Sequence, residues 1–191
     1  KLDTASLVTN ALNWSAVPVT TDVGEFDSTC SAGNLAALTL GGDNLSLAGL
    51  QFDGTLAGPA TILSGNTLTL GTSGINMENA NQNVTVSCTV SPGSGSAQTW
   101  NVASGRSLTL GSAISVGSSS GTAKMTLNSG SAGTINLNGG WAENYGSDSS
   151  YLICSGGTIS LAVVNMGRTA SYGNTAPSAA SPIAASSASG F

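Results

Sequence analysis

Carboxylates are the side chains in this sequence best suited to catalysis, because glycoside hydrolysis needs two of them facing each other across the bond. Of the nine Asp and Glu residues, only Asp22, Glu25 and Asp27 cluster along the chain. A second pair would form if Asp43 and Asp53 lay on adjacent turns of a repeating fold. We predict a non-catalytic protein. A pair among Asp27, Asp43 and Asp53 within about 10 Å across a groove would instead indicate a polysaccharide-degrading enzyme.

Metal ligands are sparse in this chain. It has no His, and Cys30, Cys88 and Cys154 stand alone without a C-x-x-C pair, which argues against zinc. Calcium needs about six to eight oxygen ligands, and residues 143–148 are the best isolated candidate, although a solvated loop is the simpler interpretation. We predict no metal and no cofactor. The cysteines are expected to be small buried hydrophobes, with at most one disulfide whose pairing stays open.

Threonine hydroxyls recur within a short phrase in which one small polar residue separates two apolar residues. Residues 38–41, 68–71 and 108–111 all read Leu-Thr-Leu-Gly, and looser copies occur between and after them, up to residue 161. In a strand, this alternation places the apolar side chains on one face and the hydroxyl on the other. An outward ladder of this kind is a candidate ice-binding or glycan-binding face, while the simpler interpretation is that Thr is a good β-former. The predicted face comprises Thr39, Thr69, Thr85, Thr109 and Thr126.

The elements that would position these groups are short strands joined by Gly-rich turns. The phrases recur at steps of about seven to ten residues, so two or three of them would close a coil of roughly 18 to 30 residues. No segment sustains helical spacing of its apolar residues. We therefore predict an all-β protein, a parallel β-helix or β-solenoid. The alternative is an antiparallel β-sandwich, for which the only two-residue hairpin candidates are Asp53-Gly54 and Asn138-Gly139.

The composition divides the chain into three parts. Residues 1–30 are predicted to form an N-terminal cap or lead-in, and residues 31–172 the solenoid itself. Residues 173–191 are rich in Ser, Ala and Pro, which is typical of a flexible tail or linker or of a strand that pairs with a neighbouring subunit's edge. One long insertion, residues 139–150, is the predicted partner loop. Its aromatic residues, with the next one along the chain, are Trp141, Tyr145 and Tyr151.

The charge content is low. Charged residues make up 7% of the chain, with a net charge of −5 and only four cations, which argues against nucleic-acid binding. No apolar run approaches the ~18 residues of a membrane helix, so we predict no transmembrane segment. The chain begins at Lys1, as a processed secreted protein or a fragment of a longer precursor would.

One stretch of the sequence resembles a known family. Residues 98–102 read Gln-Thr-Trp-Asn-Val and are followed by a Gly turn and the strand Leu108-Thr109-Leu110. This phrase, together with Asn13-Trp14 and residues 50–54, resembles the autotransporter-associated β-strand repeat proteins. The resemblance implies a right-handed parallel β-helix that is displayed on, or secreted from, a bacterial cell and has no known catalysis.

The resulting prediction is an extracellular or cell-surface structural module that self-associates or adheres through its solenoid ends or its tail. Open solenoid ends are templates for strand addition, and a surface with little charge does little to repel a neighbour. The alternative is a solenoid face that binds ice or surface glycans, and the third option is the enzyme considered above.

Overall fold

The computed structural model of the chain describes residues 7–10, 14–16, 18–93, 97–112, 114–116, 123–128, 132–143, 150–161, 164–165 and 183–186. Within these residues the chain forms sixteen β-strands and one short α-helix. Every strand pair is parallel. The prediction of an all-β parallel β-solenoid is confirmed, and the antiparallel sandwich is wrong. No helix among the described residues is long and apolar enough to cross a membrane.

Sheet 1 is the largest of three parallel sheets and runs the length of the stack. Its strands, in order across the sheet, are β1 (Val23–Phe26), β2 (Leu45–Phe52), β4 (Thr67–Met77), β7 (Ala97–Val102), β10 (Ala123–Asn128), β13 (Ser150–Ser155) and β16 (Ile183–Ser186). A further strand, β6 (Thr89–Pro92), pairs with the first half of β4. The strands at the two ends of sheet 1 are therefore β1 and β16.

Sheets 2 and 3 form the other sides of the solenoid. Sheet 2 contains β3 (Ala60–Ile62), β5 (Val84–Val86), β8 (Ser107–Leu110), β11 (Thr134–Leu137) and β14 (Thr158–Leu161). Sheet 3 contains β9 (Ile114–Val116), β12 (Trp141–Glu143) and β15 (Val164–Asn165). Strand β6 lies next to β9 of sheet 3, and it pairs with the first half of β4, which pairs with the first half of β2. The first halves of β2 and β4 therefore lie on the same side of the solenoid as sheet 3.

The coil length follows from the register of these strands. In sheet 2, Thr85 pairs with Thr61 and with Thr109, which lie 24 residues before and after it. The spacing between paired strand residues ranges from 22 residues, between Thr69 and Ser91, to 31 residues, between Ile153 and Ala184 of sheet 1. The coil between β13 and β16 is one residue longer than the roughly 18 to 30 residues predicted from the repeated phrase, and the spacings of the other strand pairs lie within that range.

The core is built from the apolar residues that flank each outward polar residue. In sheet 2, the apolar neighbours of the central threonines stack in rows and are almost fully buried, for example Ile62, Val86 and Leu110. Between sheets 1 and 2, the short helix α1 (Ala32–Leu35) buries Leu35, and the Ser31 side chain caps its N-terminus. Four residues are too few to show a helical period, so the sequence pattern does not predict this helix.

The first and last predicted segments both contribute to sheet 1. Strand β1 lies inside residues 1–30 and pairs with β2, so the stack begins before residue 31. Its Phe26 ring stacks on Phe52 at 5.0 Å, and Trp14 packs edge-on against Phe26 at 5.9 Å. Within residues 173–191, β16 pairs with β13, so this range contains a strand of the chain's own sheet.

Candidate binding face

The outer face of sheet 2 carries a row of polar side chains in register across five coils. The row consists of Thr61, Thr85, Thr109, Asn136 and Ser160. Its first four members are half-buried and Ser160 is exposed. Two neighbouring members of the row contact each other directly, since the Asn136 Nδ2 group donates a hydrogen bond of 3.3 Å to Thr109 Oγ1.

A second polar row lies two residues earlier along the same strands. Ser107 pairs with Thr134, which pairs with Thr158, and Asn83 precedes them on the coil before. The Asn83 Oδ1 atom accepts a hydrogen bond of 3.0 Å from the Ser107 N–H group. The two rows lie roughly 7 Å apart along the strand, and their members repeat about every 4.8 Å along the stack. The face is an uncharged array of two polar rows, whereas the sequence predicts a single row.

The five predicted threonines are distributed over more than one side of the solenoid. Thr85 and Thr109 lie together in sheet 2, whereas Thr69 pairs with Ser46 and Ser91 on the side that sheet 3 continues. Thr126 belongs to sheet 1, in β10. Thr39 follows Leu38, which forms a bridge with Ile62, so it is offset by two residues from the threonine row.

Sequence reasoning missed Thr61, which opens the row. Its phrase, Ala60-Thr61-Ile62, has the required alternation, but Ala60 is too small to stand out as one of two large apolar residues. In the structure, Ala60 and Ile62 are both buried. A search that accepted Ala at inward positions would have found this strand.

The predicted partner loop is also distributed differently. Trp141 lies in β12, where it pairs with Ile114 and Val164 of sheet 3. Tyr151 lies in β13 of sheet 1, opposite Lys124. Tyr145 lies outside the described residues. Trp141 and Tyr151 therefore belong to strands of two different sheets. The predicted insertion begins and ends within strands of the solenoid.

Asp27, Asp43 and Asp53, the acids considered for a pair across a groove, lie outside the strands, at turns. Asp27 and Asp53 follow paired strands of adjacent coils, and the Asp53 N–H group donates to the Phe26 carbonyl at 2.9 Å. Asp43 lies in the turn that connects Leu40 to β2, a different corner of the coil. Asp27 and Asp53 are thus neighbours on one corner and do not face each other from opposite sides.

Hydrogen bonds explain why these acids are placed at turns. Asp27 Oδ1 accepts from the Thr29 N–H group at 2.8 Å and from Thr29 Oγ1 at 2.6 Å. These bonds, led by the one from the Thr29 hydroxyl, lower the pKa of Asp27. A general acid in glycoside hydrolysis needs a raised pKa, so Asp27 is suited to fixing its turn.

The described residues contain no group of three or more His, Cys, Asp or Glu side chains that could hold a metal ion. Of the calcium candidate at residues 143–148, only Glu143 lies within the described residues, at the end of β12. Cys30 and Cys88 are buried cysteines that form no disulfide, and burial raises the pKa of Cys88 to about 11. Cys154 lies in β13, opposite Leu127.

No protein-family model, curated protein or solved structure matches this chain. The resemblance to autotransporter-associated repeats therefore stays a prediction, and the function has to be argued from the sheets, their ends and their outer faces.

Proposed function

We propose that this protein is a non-catalytic, extracellular structural module that self-associates through the ends of its solenoid. The observation that carries the proposal is the strand order of sheet 1, which ends at β1 and β16. Each interior strand of that sheet pairs with a parallel strand on both sides, whereas an end strand has a strand on one side among the described residues. A second copy of the chain can place a parallel strand beside an end strand, which is the same type of contact as between strands within one copy.

The surface supports this proposal by offering little repulsion. A low charge density promotes association between copies, and charged residues are only 7% of this chain. Three large apolar side chains are exposed in the part that the structure describes, namely Val19, Val23 and Leu63. Val19 and Val23 belong to the N-terminal end of the stack and Leu63 to its side, so the two locations can be tested separately.

Sedimentation velocity over a wide concentration range, with electron microscopy of the same samples, tests the proposal. We expect elongated particles that grow with concentration, and strictly monomeric particles at the highest concentration would contradict it. Val23→Lys and Leu63→Lys form a matched pair, because the wild-type side chains are 43% and 42% exposed. Association through the ends predicts that only the Val23 variant weakens assembly, since a lysine at an end strand opposes strand addition.

The location of the protein is part of this proposal. Its support is the resemblance of residues 98–110 to bacterial surface repeats and the Ser/Thr-rich, weakly charged composition. Fractionation of the source cells, followed by detection with an antibody, tests it. We expect the protein in the medium or on the cell surface, and recovery from the interior alone would refute the extracellular role.

A second candidate function is supported by the two polar rows on sheet 2. We propose as the alternative that this array binds ice or an uncharged surface glycan through its regularly spaced hydroxyl and amide groups. Thr109→Lys places a long charged side chain in the middle of the array. Thr69→Lys makes the same change within the same Leu-Thr-Leu-Gly phrase but on another side of the solenoid.

Thermal hysteresis and pull-down on insoluble polysaccharides measure this second function. We expect the Thr109 variant to lose binding and the Thr69 variant to keep it. Loss in the Thr69 variant alone would place the binding face on the side that sheet 3 continues. Absence of both activities in the wild-type protein would remove this candidate.

A further inference from the structure

We propose that copies of this chain join head to tail, with β16 of one copy pairing in parallel with β1 of the next. This inference rests on the proposed self-association and adds its polarity, its strands and its register. It makes sheet 1 continuous from one copy to the next, in the order β13, β16, β1, β2.

The register of sheet 1 specifies which residues meet. One row of paired residues begins at Val23, opposite Gly49, and ends at Ala184, opposite Ile153. The next rows begin at Gly24 and Glu25 and end at Ala185 and Ser186, and they follow the same pairing through every coil. The complete first row is Val23, Gly49, Gly74, Thr99, Thr126, Ile153 and Ala184.

Continuing these rows into a second copy places Ala184 opposite Val23, Ala185 opposite Gly24 and Ser186 opposite Glu25. Gly24, which is a buried position of β1, then meets Ala185 of β16 in the register. Around Gly24 the core is already filled, because a Cβ atom there would lie 3.0 Å from Leu47 Cδ1 and 3.2 Å from Trp14 Cη2. The core at Gly24 therefore needs no large side chain at the paired position, and β16 has alanine there.

The distribution of charge favours unlike ends over like ends. Asp22, Glu25 and Asp27 all lie in β1 or directly beside it. Two β1 strands brought together would oppose these carboxylates, and like charges on directly opposite strands are destabilising. Strand β16 carries no charged residue, and neither does any position from 169 to 191. A junction between β1 and β16 consequently has acids on one side and neutral residues on the other.

Disulfide trapping tests the junction with the variant Val23→Cys/Ala184→Cys. Within one chain these positions are separated by six strand spacings, roughly 29 Å, whereas a disulfide requires Cα atoms within about 7 Å. Oxidation can therefore join them only between copies. We expect a ladder of dimers, trimers and longer species on a non-reducing gel, with each single variant remaining at the wild-type level.

The single variants and a second pair complete the design. Crosslinked dimers of Val23→Cys alone indicate a head-to-head contact, and dimers of Ala184→Cys alone indicate a tail-to-tail contact; either result without the ladder overturns the junction. Glu25→Cys/Ser186→Cys follows the same register and serves if the first pair disturbs folding, which circular dichroism checks. Leu63→Cys/Ala184→Cys places one thiol on the side of the solenoid and should give no ladder.

Sedimentation of the same samples under reducing conditions separates this inference from the proposed function. Assembly without any crosslinked ladder from either register pair overturns the head-to-tail junction and leaves self-association standing. Monomers under reducing conditions at every concentration, also without a ladder, overturn both.

Discussion

Sheets 1 and 2 both stack parallel strands from successive coils, but their strands differ in length and regularity. Sheet 2 is built from strands of three or four residues, such as Val84–Val86 and Ser107–Leu110, in which apolar and polar residues alternate without interruption. Sheet 1 contains strands of up to eleven residues, and the longest, Thr67–Met77, crosses from one side of the solenoid to another. Its register against Leu45–Phe52 shifts where the chain passes the corner.

The corner in sheet 1 depends on residues with specific roles. Gly74 has φ +59° and packs against the next coil. The Leu70 carbonyl accepts a hydrogen bond of 2.5 Å from Gln98 Nε2, and Gln98 Oε1 accepts one of 3.0 Å from Trp100 Nε1. Gln98 is the one buried polar side chain among the described residues. Regular alternation suffices for sheet 2, whereas a strand that turns a corner needs a glycine and a buried polar pair.

The largest predicted effect compares the glycine at this corner, Gly74, with Gly105, which lies in the turn between β7 of sheet 1 and β8 of sheet 2. A Cβ atom at Gly74 would lie 2.7 Å from Thr99 O and from Trp100 Cδ1, whereas one at Gly105 would meet nothing within 4 Å. Gly74→Ala should cost roughly 2–5 kcal/mol, from positive φ and overpacking together. Gly105→Ala, at φ +71°, should cost about 1–2 kcal/mol. Urea unfolding measures both, and equal losses would contradict the difference between the two sheets.

The next effect concerns Cys88, which lies between β5 of sheet 2 and β6. Burial raises the pKa of its thiol from 9.0 to about 11. The stability that this contributes is fully present below pH 9 and is lost as the pH rises through the folded value, up to about 2–3 kcal/mol. Unfolding free energies measured between pH 8 and pH 11 should fall more steeply for the wild type than for Cys88→Ala. Parallel pH profiles would show that this thiol does not contribute.

The smallest effect tests the polar pair beneath the corner. Gln98→Leu leaves the Trp100 N–H group without its acceptor and should cost about 1–3 kcal/mol. The Leu70 carbonyl keeps the Gly93 N–H group, at 2.6 Å, which limits the loss. Adding Trp100→Phe removes the orphaned donor, so the double variant should lose less than the sum of the two single variants. A strictly additive double-mutant cycle would indicate that the two side chains act independently.

The sequence predicted the strands of sheet 2 more completely than those of sheet 1. The phrase around Thr109 predicts a strand, its two inward residues and the turn that follows. The structure has the strand at Ser107–Leu110, with Leu108 and Leu110 buried. The strand that contains Gly74 has no such phrase beyond Leu70. A corner inside a strand is defined by contacts with the next coil, such as those of Thr99 and Trp100, and these residues lie about one coil length further along the chain.

The candidate face shows the same limit. The three identical Leu-Thr-Leu-Gly phrases lie on different sides of the solenoid: two are in or next to sheet 2, and one is on the side that sheet 3 continues. Alternation determines whether a side chain points inward or outward, and it does not determine which side of the coil the strand occupies. That side depends on how many residues each preceding turn contains. Thr69 and Thr109 therefore have the same local structure and different neighbours.

The sequence by itself determined that the chain stacks short strands into coils, which apolar residues point inward, and that little charge covers the surface. Each of these properties depends on neighbours within a few residues. The tertiary structure decided which polar residues form one array, that β1 and β16 end the largest sheet, and that Asp27 and Asp53 lie on one corner. These properties depend on the summed lengths of strands and turns around a whole coil, so a difference of one residue in any turn changes which distant residues meet.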